Sequence, residues 1–337
     1  MMKIYKLIFG IILIMGTMIS ISAYSWLGMW IGLEINLLSI IPIIMNSNIL
    51  SSESSIKYFI TQTLASMFIM MSIIVMMWKL NFYSNMTIHN PMMMILNSSL
   101  LIKMGMAPFH FWFPEVLEGL NWFYCMIMLT WQKIAPMMLM MFNSKSILFY
   151  SIIIVMGMII SVFMSFNQMS LRKLMAFSSI NHMGWMLTTM LLEKTIWIIY
   201  FLVYSIITIT ITLTMKNIFF LNQMFMINEM KQVKIMFILN FMSLSGIPPF
   251  LGFLPKWLTI QMMIESKMII LSIMMIFITL IMIFIYMRIS MSTLLFKNNQ
   301  MNWKLNNKIK HNNLFNSMIN FFSISSLIII TILMNST

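Results

Sequence analysis

Residues 243–257 read SLSGIPPFLGFLPKW, with two glycines, three prolines and one lysine inside a long apolar run, 235–264. Proline removes a backbone donor and clashes with the preceding turn, so a helix here breaks or kinks around Gly246, Pro248, Pro249 and Pro255. Irregular backbone is not tolerated against lipid, so such a break faces protein or a water-filled cavity. A second stretch repeats the device. Residues 101–116, LIKMGMAPFHFWFPEV, set Gly105 and Pro108 just after Lys103.

Working outward, composition decides what kind of protein holds these breaks. Of 337 residues, 61% are apolar and 8% are charged. A soluble chain carries roughly 25% charged residues, and one of this size needs a polar surface that this sequence cannot supply. Soluble enzyme, nucleic-acid binder, secreted module and disordered chain are excluded. The single cysteine, Cys125, excludes a disulfide framework, an iron–sulfur cluster and a cysteine-built zinc site. An all-α polytopic membrane protein remains. The net charge of +13 then reports topology, because most of the 20 Lys and Arg flank apolar runs. Asp is absent, Lys outnumbers Arg 18 to 2, and Met reaches 48. That bias towards A- and T-rich codons fits an organelle-encoded gene in which an isoleucine codon is read as Met. A Met-rich lipid-facing surface is the plainer alternative.

Apolar runs of about 20 residues cross a hydrocarbon core of ~30 Å. Eleven are read: 4–23, 26–45, 56–78, 91–113, 121–142, 147–166, 173–191, 195–220, 235–264, 268–289 and 314–334. Lys3 and Lys6 before the first run suggest a signal peptide, but the second run follows at once and the first is as long as the rest. The longest polar segment, 297–313, is too short for a folded core. With eleven spans the termini face opposite sides. Loops near 46–55, 114–120, 167–173, 221–234 and 290–313 share the N-terminal side, which takes 13 basic residues. The other side takes 4, namely Lys79, Lys145, Lys194 and Lys267. The positive-inside rule sets the N-terminus inside and the C-terminal Thr337 outside.

The breaks fall in spans 4 and 9, five apart, and each carries a lysine. This predicts two five-helix repeats, residues 1–142 and 147–290, with discontinuous helices 4 and 9 and an additional span in 314–337. An odd repeat length inverts the second copy, and paired breaks in matching positions of inverted repeats mark a transporter core. Two unrelated proline kinks are the plainer alternative.

Three basic residues belong to no loop, Lys103, Lys133 and Lys256, and Glu34 likewise lies inside a span. A lysine at the bilayer centre costs ~2.5–3.5 kcal/mol on the most lenient scale. At ~1.5 Å per residue, Glu34 lies ~12 Å into its span, Lys103 and Lys133 ~18 Å, and Lys256 ~12 Å from its span's end. Four ionisable groups at such depth suggest a proton relay, in which Glu34 pairs with one lysine and the others shed and regain protons. The alternative is a static Glu34–Lys103 pair with snorkelling lysines, which mid-span depth opposes. His182, within SSINHMGWM, either passes a proton between its two nitrogens or is simply packed. His110 beside the first break either caps or conducts. Glu115 and Glu118 follow the broken fourth span at the inner surface, as a solvated loop face or, with His110, as proton-uptake groups. His89 and His311 read as solvated loop residues, and haem ligation lacks a second histidine pair. No GxGxxG, P-loop or nucleophile elbow occurs, so no cofactor and no metal is expected on this chain.

Five motifs, in order, carry a resemblance: GLEINLLSIIP (32–42), LLIKMGMAPFHFWFPEV (100–116), LTWQKIAPMMLM (129–140), RKLMAFSSINHMGWM (172–186) and LSGIPPFLGFLPKW (244–257). The sequence resembles the antiporter-like, proton-pumping membrane subunits of mitochondrial NADH–ubiquinone oxidoreductase, respiratory complex I, through nearly its whole length. Its short N-terminus looks like the animal form, which lacks three helices of bacterial relatives. The resemblance implies that Glu34 and Lys103 pair, that Lys133 connects, and that Lys256 and His182 belong to the relay. Some relatives place glutamate where Lys256 stands. It implies a subunit of the inner mitochondrial membrane, N-terminus in the matrix, that moves protons. NADH, FMN, iron–sulfur clusters and ubiquinone would be handled by other subunits. It also implies neighbours of the chain 4 and small chain 4L kinds, lipids including cardiolipin, and no nucleic acid. A free-standing cation/proton antiporter and a structural spacer compete; the small loops favour a member of a complex.

Overall fold

The computed structural model of the chain describes residues 4–45, 48–80, 89–143, 146–215, 220–221 and 231–295. Among these residues the protein is helical, with one isolated antiparallel bridge joining Ser170 to Phe220. The helices are α1 (Ile4–Ser22), α2 (Trp26–Ile44), α3 (Ile49–Leu80), α4 (His89–Met104), α5 (Trp112–Gly119), α6 (Trp122–Leu129) and α7 (Trp131–Met141). They continue with α8 (Ile147–Ser165), α9 (Leu171–Leu192), α10 (Lys194–Thr214), α11 (Lys231–Ser245), α12 (Phe253–Glu265) and α13 (Ile269–Leu295). Six of them, α1, α2, α3, α8, α10 and α13, are long and apolar enough to cross a membrane unaided. The expected span 314–334 and the basic segment 297–313 lie outside the described residues.

Several boundaries differ from the sequence reading, each for a local reason. The stretch 46–55, read as a loop, is helical from Ile49. Its serines return their hydroxyls one turn back, Ser51 to Asn48 O, Ser54 to Ser51 O and Ser55 to Ser52 O, which lets a poor helix former satisfy itself. The stretch 114–120 is mostly helix α5, because the fourth span resumes after its break and continues to Gly119. Helix α13 runs to Leu295, past the expected end at 289, whereas α10 stops at Thr214, short of 220. The fifth span, expected to be continuous, is interrupted at Thr130 between α6 and α7.

The chain divides within α8 into two units, Met1–Gly157 and Met158–Thr337. In the first, α1 and α2 pack backbone to backbone. A Cβ on Gly32 would stand 2.5 Å from Ser20 N, and one on Gly16 would stand 3.0 Å from Asn36 N. Small residues permit this approach where no hydrophobic driving force joins helices. Helix α3 packs on α2, α4 and α5, and α7 on α1, α4 and α6. In the second unit, α10 packs on α9, α11 and α12, α13 on α11 and α12, and α12 on α9. Helix α9 is buried without a gap from Leu174 to Met190. A helix enclosed on every side can hold polar residues in its middle, and here it holds Ser178, Ser179, Asn181 and His182.

Candidate functional site

The two expected breaks share a pattern of backbone hydrogen bonds. In the first unit, Gly105 N–H donates to Ile102 O (3.1 Å), Met106 N–H to Leu101 O (3.1 Å), Phe109 N–H to Met106 O (2.9 Å) and Phe113 N–H to His110 O (3.0 Å). In the second, Gly246 N–H donates to Ser243 O (3.1 Å), Ile247 N–H to Met242 O (3.5 Å), Phe250 N–H to Ile247 O (3.0 Å) and Leu254 N–H to Leu251 O (3.3 Å). Each donor and acceptor of the second set follows its counterpart by 141 residues, as 246 − 105 shows. Both glycines are left-handed, with φ +73° at Gly105 and +76° at Gly246. An L side chain rarely adopts that conformation, so glycine ends the helix here. Pro108, Pro248 and Pro249 lie inside these breaks. Pro255 does not: it is the third residue of α12, as Pro114 is of α5. First-turn N–H groups have no intrahelical partner, so proline starts the helix there at little cost.

The matching frames carry different charges. At the 141-residue spacing, Leu244 stands where Lys103 would be repeated, and Glu115 stands where Lys256 would be anticipated. The two lysines, one at each break, therefore do not occupy equivalent positions. What they share is a helix C-terminus. Lys103 lies in the last turn of α4. Lys256 reaches back from α12 and donates to Ser245 O, the last residue of α11, at 2.7 Å. Both ammonium groups thus sit at the negative end of a half-helix dipole.

In the first unit, Lys103 Nζ lies 3.7 Å from Glu34 Oε1, with the two side chains 4% and 22% exposed. That Glu34 oxygen accepts no hydrogen bond. Gln62 Nε2 donates to Lys103 O at 3.3 Å, which ties α3 to the end of α4. Lys133 is buried on the first turn of α7 and lies 5.5 Å from the centroid of the Phe113 ring. The sequence reading missed a third break beside it. The chain turns at Thr130, and Pro136 can offer no N–H to Gln132 O. The signal was present in LTWQKIAP, a proline and three polar residues inside an apolar run.

His110 is buried within the first break, its ring 4.4 Å from that of Phe111. Glu115 is more exposed and forms an ion pair with Lys57 at 3.0 Å, while Lys57 also pairs with Glu53 at 3.0 Å. Glu115 and Glu118 are thus on a helix, not on a loop. In the second unit, His182 Nδ1 is 3.0 Å from Tyr200 OH, and the Tyr204 ring lies 5.3 Å from the imidazole. Either tautomer of His182 can share that hydrogen with Tyr200. Residues that the sequence reading did not single out are Asn36, Tyr58 and Gln132. Gln132 Nε2 donates to Asn36 Oδ1 at 2.9 Å, and Tyr58 OH approaches Gln132 Oε1 at 3.5 Å. Among the described residues, no group of three or more His, Cys, Asp or Glu could hold a metal ion.

Comparison with known proteins bears on what this arrangement serves. The family model described as NADH:quinone oxidoreductase/Mrp antiporter, TM, matches residues 23–282. NADH-ubiquinone oxidoreductase chain 2 of Anopheles gambiae is 45% identical over 99% of both chains. The protein of the same name from Bos taurus is 38% identical over 88% of this chain and 90% of its own. Among solved structures, a chain of respiratory complex I from Thermus thermophilus, solved with bound aureothin, superposes with a TM-score of 0.84. It covers 96% of this chain and 77% of that one, at 17% identity, a likeness of fold.

Proposed function

Because the chain belongs to the NADH:quinone oxidoreductase/Mrp antiporter membrane family, and within it to the group named chain 2, we propose that it moves protons as a membrane-arm subunit of respiratory complex I. The observation that carries this is the Glu34–Lys103 pair, 3.7 Å apart and enclosed beside a helix break. A buried carboxylate and ammonium at that separation can exchange pairing for a proton, and Lys133 stands in the same unit as a further carrier. Lys256 and His182 serve the second unit. His110 and Glu115 are the uptake groups of this reading.

The repeated hydrogen-bond pattern of the two breaks supports a duplication, residues 1–142 and 147–290, read as inverted because each copy has five spans. Like a transporter core, each copy sets a broken helix around its ionisable groups. The reading includes no redox centre on this chain; NADH, FMN, iron–sulfur clusters and ubiquinone belong to other subunits. It places the chain in the inner mitochondrial membrane, N-terminus in the matrix, beside subunits of the chain 4 and 4L kinds and lipids such as cardiolipin.

Lys103→Met in the assembled complex tests the function. The proton-to-electron ratio falls in the complex that assembles. A normal ratio in an assembled complex overturns it, and a lone band near the chain's own 39.7 kDa in wild-type extracts would favour the free-standing antiporter.

A further inference from the structure

In the first unit a buried polar crossbar joins three helices at the level of the third break. Gln132 on α7 has both ends of its amide engaged, Nε2 by Asn36 Oδ1 on α2 at 2.9 Å and Oε1 by Tyr58 OH on α3 at 3.5 Å. All three side chains are buried, at 9% exposure or less. Each crossbar residue adjoins the relay. Asn36 is two residues from Glu34, and Tyr58 is one turn from Gln62, which holds the Lys103 carbonyl. Gln132 directly precedes Lys133.

The local backbone makes this contact consequential. Lys133 stands in the first turn of α7, just past the interruption at Thr130, so no continuous helix from α6 sets its rotation. Pro136 removes the hydrogen bond that would tie Gln132 O to the next turn. The side chain of Gln132 therefore ties this turn directly to α2 and α3.

We propose that Gln132 is a positioning residue for proton movement: the Asn36–Gln132–Tyr58 crossbar sets where Lys133 stands and links it to the Glu34–Lys103 pair. This rests on reading the chain as a proton-moving subunit. The amide itself need not carry a proton. It needs only to turn with α2 and α3 when the ion pair rearranges, carrying the first turn of α7 with it.

The test uses the assembled complex, with abundance on native gels and the proton-to-electron ratio as separate readouts. Gln132→Leu removes both crossbar bonds, and Tyr58→Phe removes one oxygen without changing volume. Misplacing a reacting group by about 1 Å costs up to a hundredfold in rate, so coupled turnover should fall roughly tenfold or more, with a lowered ratio. Exchanging the two amides, Asn36→Gln with Gln132→Asn, keeps the bridge length and should recover turnover lost in Gln132→Asn alone. If Gln132→Leu does not assemble, Tyr58→Phe decides. An assembled Tyr58→Phe complex with a wild-type ratio overturns the proposal, as does reduced abundance with an unchanged ratio. Lys103→Met separates the two levels. If it lowers the ratio and the crossbar variants do not, only the crossbar fails; if it leaves the ratio intact, the parent reading fails.

Discussion

Gly246→Ala is a small change with a calculable consequence. Gly246 has φ +76°, and an added Cβ would stand 2.9 Å from Lys256 Cδ and 3.0 Å from its Nζ. A left-handed L residue costs roughly 1–2 kcal/mol. The methyl also displaces the Lys256 side chain, whose bond to Ser245 O is 2.7 Å long. A hydrogen bond to a charged group contributes about 1.5–3 kcal/mol. The two effects act on the same turn and together reach about 2.5–5 kcal/mol, enough to shift the break by some two orders of magnitude or more in equilibrium. The expected outcome is less assembled complex on native gels and a lower proton-to-electron ratio in what remains. Gly10→Ala is the control, because nothing lies within 4 Å of its added Cβ. Within α1 it should be neutral or gain up to about 1 kcal/mol of helix propensity. Wild-type abundance and coupled turnover in Gly246→Ala would refute the claim that the glycine seats Lys256.

The ion pair invites a double-mutant cycle. At 3.7 Å and an effective dielectric of about 20 the attraction is about 4.5 kcal/mol, so Lys103→Met or Glu34→Gln alone should destabilise the complex by about 3–5 kcal/mol. The double variant should cost well under their sum in thermal unfolding, and simple additivity would dissolve the pair. Pro136→Ala restores a backbone donor to Gln132 O and should raise thermal stability while lowering the proton-to-electron ratio; a rise in both would make the third break a mere kink. Gly32→Val pushes a side chain into the Ser20 backbone, so α1 should separate from α2 and assembly should fail on native gels. The proposed topology, read from the basic-residue count, has 297–313 on the matrix side, so protease applied to mitoplasts should spare Lys304, and cleavage there would reverse that topology.

Much of this was legible because the membrane makes exceptions visible. In a run of apolar residues, Gly105, Gly246 and the prolines near them stand out, and both breaks are where they were read. Glu34 and Lys103 were legible as the acid and a base that burial drives together. Less legible was the start of α3, because serines read as breakers until they return their hydroxyls to carbonyls one turn back. The Thr130 interruption has no glycine to announce it. The polar middle of α9 was legible as SSINHMGWM, but its enclosure was not, because a helix buried all round shows no period. That the two lysines occupy different positions in their frames has a separate cause. A lysine has a four-carbon stem, so its ammonium can reach a carbonyl from before the break or from well after it. Proximity in sequence does not tell which.

That last point explains why lysines and breaks occur together at all. A buried ammonium costs ~2.5–3.5 kcal/mol and needs acceptors, and in an unbroken helix each carbonyl is already bonded to an amide of the same helix. Breaking the helix frees the last carbonyls and exposes the negative end of the dipole. At Lys256 one such carbonyl, Ser245 O, is taken directly, at 2.7 Å. A charged hydrogen bond of about 1.5–3 kcal/mol, with a dipole contribution of up to about 2 kcal/mol, offsets most of the burial cost. Lys103 reaches the same balance by other means, from the last turn of α4 with Glu34 as counter-charge. Lys133 stands at the start of α7, with the Phe113 ring centroid 5.5 Å from its ammonium. An oxygen placed beside this ammonium, by Phe113→Tyr, should slow coupled turnover by giving it a further acceptor. Unchanged or faster turnover in that variant would show that the Lys133 ammonium does not take up the added oxygen.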